Sequence, residues 1–234
     1  MMHREKITEA VILAGGLGTR LRSVVKEVPK PMADVKGRPF LSYLIDYWVE
    51  QGIEKIVILV GYKYDKIIDY FGYCYKGVEI EYSIENTPLG TGGALIKSLK
   101  KLKTSKNFLL LNGDTFFPVD MNLFSQFHYD KKALISIATF NSKDFERYKI
   151  LYINNESKIE NIKSNFKSFV NGGVYIIDVQ FIKNINLNLK KISFEDDILE
   201  QSIKKKLQIY GFFCKNRFID IGIPEDYRRV VDFI

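Results

Sequence analysis

Ala10-Val-Ile-Leu-Ala-Gly15-Gly16-Leu-Gly18-Thr-Arg20-Leu21-Arg22 decides the fold, because an apolar run passes here directly into glycine and then into arginine. Residues 11–14 read as a buried strand, and the glycines after them as a loop carrying positive charge. Such a loop suits a phosphate-rich ligand: glycine lets backbone N–H groups approach an anion, and arginine offers a planar fork of donors to phosphate oxygens. Taken alone, Gly-x-Gly describes an ordinary strand-to-loop turn equally well. Two familiar phosphate motifs are excluded. A P-loop needs Gly-Lys-Ser/Thr after four spacers, and the dinucleotide fingerprint needs a third glycine where Leu21 stands.

Outward from this loop, strands and helices alternate. Residues 39–52 place Leu41, Leu44, Ile45 and Trp48 on one helical face, with Gly52 as the C-terminal cap. Residues 55–60 and 108–111 are solid apolar runs, the pattern of parallel strands buried on both faces. Between them the spacing predicts a helix over 64–70, a strand over 78–83 and a helix over 92–99. A helix over 122–129 and a strand over 133–139 follow. From Tyr148 the pattern changes to short strands and turns up to residues 173–177, then a helix from Ser193 or Glu195, strands at 207–213 and 218–221, and a helix from Pro224. An α/β sheet covered on both sides results, with ligands expected at the carboxyl ends of its strands.

Composition narrows the function. The 234 residues are 46% hydrophobic, enough for one large domain, 1–234. Residues 1–6 lead into the first strand without an apolar leader, so no signal peptide is expected. No apolar run approaches the ~18 residues of a membrane span. Cys74 and Cys214 form neither a metal knuckle nor a disulfide scaffold, which fits a reduced, cytoplasmic protein. The net charge of +7 is scattered without a nucleic-acid motif, so anionic small substrates explain it and no nucleic-acid or membrane partner is expected. An apolar surface on this basic chain is compatible with a homodimer. His3 lies near the terminus and His128 is expected on a helix surface, which leaves no Ser–His–Asp site. Asp114 follows the 108–111 strand and should project from its carboxyl end, either capping a turn or holding Mg²⁺ beside substrate phosphates.

Gly15-Gly-x-Gly-x-Arg-Leu21 followed by Pro29-Lys30-Pro31-Met32 resembles the signature of the sugar-1-phosphate nucleotidylyltransferases, and further motifs in the same order extend the resemblance along essentially the whole chain. It implies a Rossmann-like three-layer αβα nucleotidyltransferase fold with a mostly parallel central sheet and a small sugar-binding insertion, the nucleotide half spanning about 1–140 and the sugar-binding half about 141–234. The nucleotide would meet Leu13, Ala14, Gly15, Gly16, Gly18 and Thr19. Arg20 and Lys30 would meet the triphosphate and the departing pyrophosphate, with Arg22 and Lys26 as helpers. Lys30, between two prolines that restrict the backbone, has a fixed direction. Asp114 and Asp220, the latter in Phe218-Ile-Asp-Ile-Gly222-Ile-Pro-Glu225-Asp226, would be the Mg²⁺ ligands, while Glu225 and Asp226 open a helix.

Residues 82–94 resemble the base-recognition segment, with Gly90 letting the base near the backbone and Thr91 beside it. Glu85 favours guanine, whose N1–H and exocyclic amine are adjacent donors for one carboxylate. On the sugar side the resemblance implies Lys163 at the sugar phosphate, with Asn171, Gly172 and Glu195 at the sugar. Lys149 replaces a glycine usual in relatives and is expected to crowd or recharge the sugar pocket. The implied reaction is GMP transfer from GTP to a sugar 1-phosphate, a heptose 1-phosphate by preference, with catalytic residues Arg20, Lys30, Asp114 and Lys163. The alternatives are a mannose-1-phosphate guanylyltransferase, a UTP-dependent uridylyltransferase, a glycosyltransferase, or a non-catalytic nucleotide-binding protein. A glycosyltransferase usually carries Asp-x-Asp at the metal, where this chain has Asn112-Gly-Asp114.

Overall fold

A computed structural model describes residues 6–16, 18–21, 23–85, 87–104, 106–142, 148–160, 167–185 and 191–234. In chain order its strands are β1 (Glu9–Leu13), the hairpin β2 (Asp34–Val35) and β3 (Arg38–Pro39), β4 (Lys55–Val60), β5 (Cys74–Tyr75), β6 (Val78–Ile84), β7 (Asn107–Asn112) and β8 (Thr115–Phe116). They continue as β9 (Ile135–Phe140), β10 (Ile150–Ile153), β11 (Ile159–Glu160), β12 (Lys167–Asp178), β13 (Ile209–Phe213) and β14 (Ile219–Asp220). The α-helices are α1 (Phe40–Glu50), α2 (Tyr64–Phe71), α3 (Gly90–Ser98), α4 (Met121–Asp130), α5 (Val179–Lys183), α6 (Glu200–Lys204) and α7 (Pro224–Arg229).

Because β1 is apolar at every position from Ala10 to Leu13, it can be covered on both faces, and it is. Ala10 and Ile12 pack into the layer of Leu41, Leu44 and Trp48, whereas Val11 faces the layer of Ala94 and Leu95. Each large side chain so buried contributes about 2 kcal/mol. Strand β1 lies between β4 and β7, parallel to both, and β6 runs parallel to β4. The register aligns Leu13 with Leu59 and Asn112, and Val60 with Ile84, so four strands end along one edge. Gly52 ends α1 as its sequence position predicts, with φ +93° and its N–H donating to the Val49 carbonyl.

Residues 173–177 are the end of the long strand β12, which starts at Lys167 and pairs antiparallel with β7, β9 and β10. Together with β9 and its parallel neighbour β13, it extends the same 10-stranded sheet. The expected helix from Ser193 begins as a π-helical stretch, Phe194–Leu199, capped by the Ser193 hydroxyl, and continues as α6. His128 is buried rather than on a helix surface. Its ring lies between the Ser136 hydroxyl and the Asn107 side-chain carbonyl, and burial pushes its pKa down to about 4. Its spacing, four residues after Phe124 and seven after Met121, puts it on the inward face of α4, while only the folded chain supplies the Ser136 and Asn107 partners that enclose it.

Candidate functional site

At the common edge of β1, β4, β6 and β7, the backbone bonds the loops to one another. The Ala14 N–H donates to the Leu59 carbonyl, the Gly113 N–H to the Leu13 carbonyl, and the Glu85 N–H to the Val60 carbonyl. These three bonds draw the glycine loop, the Asp114 turn and Glu85 around a cleft of about 750 Å³. Leu13, Ala14, Gly15, Gly16, Gly18 and Arg20 line one part of it. Lys30, Asp114, Glu85, Gly90, Thr91 and Glu195 also line it, so most residues expected at the site from sequence meet in one space. Lys163, Arg22 and the side chain of Thr19 lie outside the described residues.

Strand β14 pairs antiparallel with β8, placing Asp220 opposite Thr115, and the Ile221 N–H donates to the Asp114 carbonyl. This brings together two aspartates more than a hundred positions apart. The Lys30 ammonium donates to Asp114 Oδ2 at 2.6 Å and reaches Asp220 Oδ1 at 3.5 Å. Gly222 keeps this corner open: its N–H donates to Asp220 at 2.6 Å, and a Cβ would lie 2.9 Å from that carboxylate and 3.2 Å from the ammonium, pressing on both charged groups. Two carboxylates converging on one point fit a divalent cation, since Mg²⁺ takes one or two protein carboxylates and completes its shell with phosphate and water. No cluster of three or more His, Cys, Asp or Glu occurs among the described residues. Glu225 and Asp226 occupy the first turn of α7, as expected.

The glycine-rich start of α3 differs from expectation. Gly90 has φ +77°, and a Cβ there would lie 2.4 Å from the Ile192 carbonyl oxygen; Gly90 is therefore glycine to admit that backbone. The Ile192 carbonyl accepts the Gly92 and Gly93 N–H groups, while the Thr91 hydroxyl accepts the Phe194 N–H at 2.8 Å. Gly172 likewise makes room for the Phe117 ring, 2.4 Å from where its Cβ would be. Asn171 does not line the cleft. It donates to the fully buried Tyr175 hydroxyl, which in turn donates to Glu195 Oε1 at 3.5 Å. Burial raises the Glu195 carboxyl above its ordinary range, against the pull of Lys149. Lys149 itself does not crowd the cleft: its ammonium pairs with Asp196 and Glu200 on the outer side of the π-helical stretch.

Asn112, Tyr62, Lys191 and Phe194 also line the cleft and were not anticipated. Asn112 lies two positions from Asp114 at a strand end, a spacing that could have flagged it, and Lys191 and Phe194 lie within four residues of Glu195. Tyr62 carries no such signal.

The chain belongs to the nucleotidyl transferase family, which matches residues 9–234. It is 45% identical over 224 residues to a D-glycero-alpha-D-manno-heptose 1-phosphate guanylyltransferase of Aneurinibacillus thermoaerophilus, covering 94% of this chain and 96% of that one. A protein of the same description from Campylobacter jejuni is 38% identical, with the same coverage of both chains. Among solved structures, HddC from Yersinia pseudotuberculosis complexed with GMP-PN superposes with a TM-score of 0.82 and 36% identity, over 97% of this chain and 99% of that one.

Proposed function

We propose that this enzyme transfers GMP from GTP to D-glycero-α-D-manno-heptose 1-phosphate, giving GDP-heptose and pyrophosphate for bacterial surface polysaccharide. The observation that carries the reaction type is the meeting of Lys30, Asp114 and Asp220, from three remote segments, with Lys30 and Asp114 lining the glycine–arginine cleft. Full-length similarity to heptose 1-phosphate guanylyltransferases supports the substrate.

An oxygen of the sugar phosphate attacks the α-phosphorus of GTP, and the bond from that phosphorus to the β-phosphate bridging oxygen breaks. The attacking oxygen is already anionic, so the protein's task is positioning and charge neutralisation. Asp114 and Asp220 would hold Mg²⁺, which when bound supplies neutralisation of phosphate charge. Lys30 and Arg20 meet the triphosphate and the pyrophosphate, and Lys163 the sugar phosphate. Glu85 accepts the two guanine donors; one of its oxygens already accepts the Leu89 N–H at 2.9 Å, and a carboxylate has about four acceptor positions. Glu195, hydrogen-bonded to Tyr175, meets the sugar hydroxyls. A pyrophosphate-release assay crossing four nucleoside triphosphates with heptose, mannose and glucose 1-phosphates tests the proposal. Turnover is expected with GTP and the heptose; turnover with UTP in place of GTP would overturn the reading of Glu85.

A further inference from the structure

Four backbone or side-chain bonds fasten the segment before Glu195 onto the segment that follows Glu85. The Ile192 N–H donates to the Leu89 carbonyl at 2.8 Å, and the Ile192 carbonyl accepts from Gly92 and Gly93 at 2.8 and 3.2 Å. The fourth is the Phe194 N–H to the Thr91 hydroxyl, across 103 residues of sequence and the only one of the four made by a side chain. Leu89 also donates its own N–H to Glu85, so one residue touches the base-side carboxylate and the sugar-side segment together. Glu195 is the next residue after Phe194 and lines the cleft with Thr91. A threonine hydroxyl has one proton and two acceptor positions, and here an acceptor position is committed to the protein.

We propose that Thr91 is a positioning residue for the sugar side of the reaction: by holding the Phe194 amide, it sets where Glu195 meets the sugar 1-phosphate. Its sequence neighbourhood instead suggests a contact to the nucleotide. The proposal rests on the reading of this cleft as a sugar-1-phosphate guanylyltransferase site. In that reading, the helix that follows the base-recognition segment also determines the geometry of the sugar pocket.

Thr91→Val keeps the shape of the side chain and removes the acceptor, while Thr91→Ser keeps the acceptor. Thr91→Val is expected to raise the KM for the sugar 1-phosphate about five- to tenfold, the effect of one lost hydrogen bond. GTP affinity, measured by calorimetry without sugar phosphate, should stay within about twofold, since no nucleotide contact is removed. Thr91→Ser should restore the wild-type KM. Amide hydrogen exchange over residues 192–199 should be faster in Thr91→Val and normal in Thr91→Ser. Loss of GTP affinity equal to the change in sugar KM would make Thr91 a nucleotide ligand and overturn the proposal, as would unchanged exchange. If the wild type turns over no sugar 1-phosphate with GTP, the functional reading fails, while accelerated exchange in Thr91→Val still separates that failure from failure of the clamp.

Discussion

Lys55 and Lys30 each bridge a pair of carboxylates, at opposite ends of the same sheet. Lys55, the first residue of β4, reaches Glu79 at 3.0 Å and Glu81 at 2.5 Å, both on the adjacent strand β6. Each glutamate has a second lysine, Lys103 or Lys101, which completes a closed network at the amino ends of the strands. Hydrogen bonds from Lys55 and these lysines hold both glutamates below the usual carboxylate range. Lys30 instead joins Asp114 and Asp220, 84 and 190 positions away, at the carboxyl ends. Asp114 keeps a side-chain exposure of 36% and faces the cleft. The same pairing of charges therefore serves two ends: where it is built from neighbouring strands and closed by further lysines, it fastens the sheet. Where remote segments build it, it sets one of its carboxylates, that of Asp114, against the open space of the cleft.

The comparison can be broken by exchanging the consequences of mutation at the two ends. Asp114→Asn is expected to lower kcat by 100- to 1000-fold or more, the scale of losing one group that neutralises transition-state charge. Its thermal midpoint should stay near wild type, and near-normal turnover would remove Asp114 from the reaction. Lys55→Met should do the reverse. Removing the shared, buried ammonium from two partly exposed glutamates lowers stability, read as a lower urea midpoint, while kcat/KM for both substrates is retained. Loss of activity without loss of stability in Lys55→Met would show that the two ends are not separable.

His128 sharpens the comparison, because it is buried with hydrogen bonds and stays neutral instead of sharing a charge. Unfolded histidine titrates near 6.5, and in the folded protein near 4, so above pH 6.5 both states are neutral and stability is full. As pH falls from 6.5 toward 4, the unfolded state takes up the proton first and stability declines. Between pH 7 and pH 5 this site should account for about 2 kcal/mol. In a His128→Gln variant the dependence of stability on pH should be shallower over that interval, and an unchanged slope would mean that His128 takes up its proton alike in the folded and unfolded protein.

Much of the site was legible because it is written in short-range chemistry. An apolar run entering glycine and arginine carries its meaning within a few residues, whereas Lys30 and Asp220 stood out through motifs that resemble a known family, and Asp114 alone could equally cap a turn. Tertiary structure was needed where a residue's role depends on a distant partner. Gly90 is glycine because the Ile192 backbone lies against it, and Gly172 because Phe117 does. Lys149 could not be placed without the carboxylates of residues 196 and 200.

By itself the sequence determined the parallel strands and the glycine–arginine loop after the first of them, and motifs that resemble a known family singled out the lysine and two aspartates. Hydrophobic periodicity and turn chemistry are local, so they survive without coordinates. Only the folded chain decided that β12 extends from Lys167 and enters the sheet antiparallel, that His128 is enclosed, and that Thr91 holds the segment before Glu195. Burial and hydrogen-bond partners belong to pairs of segments, and no property of either segment alone specifies which other segment it will meet.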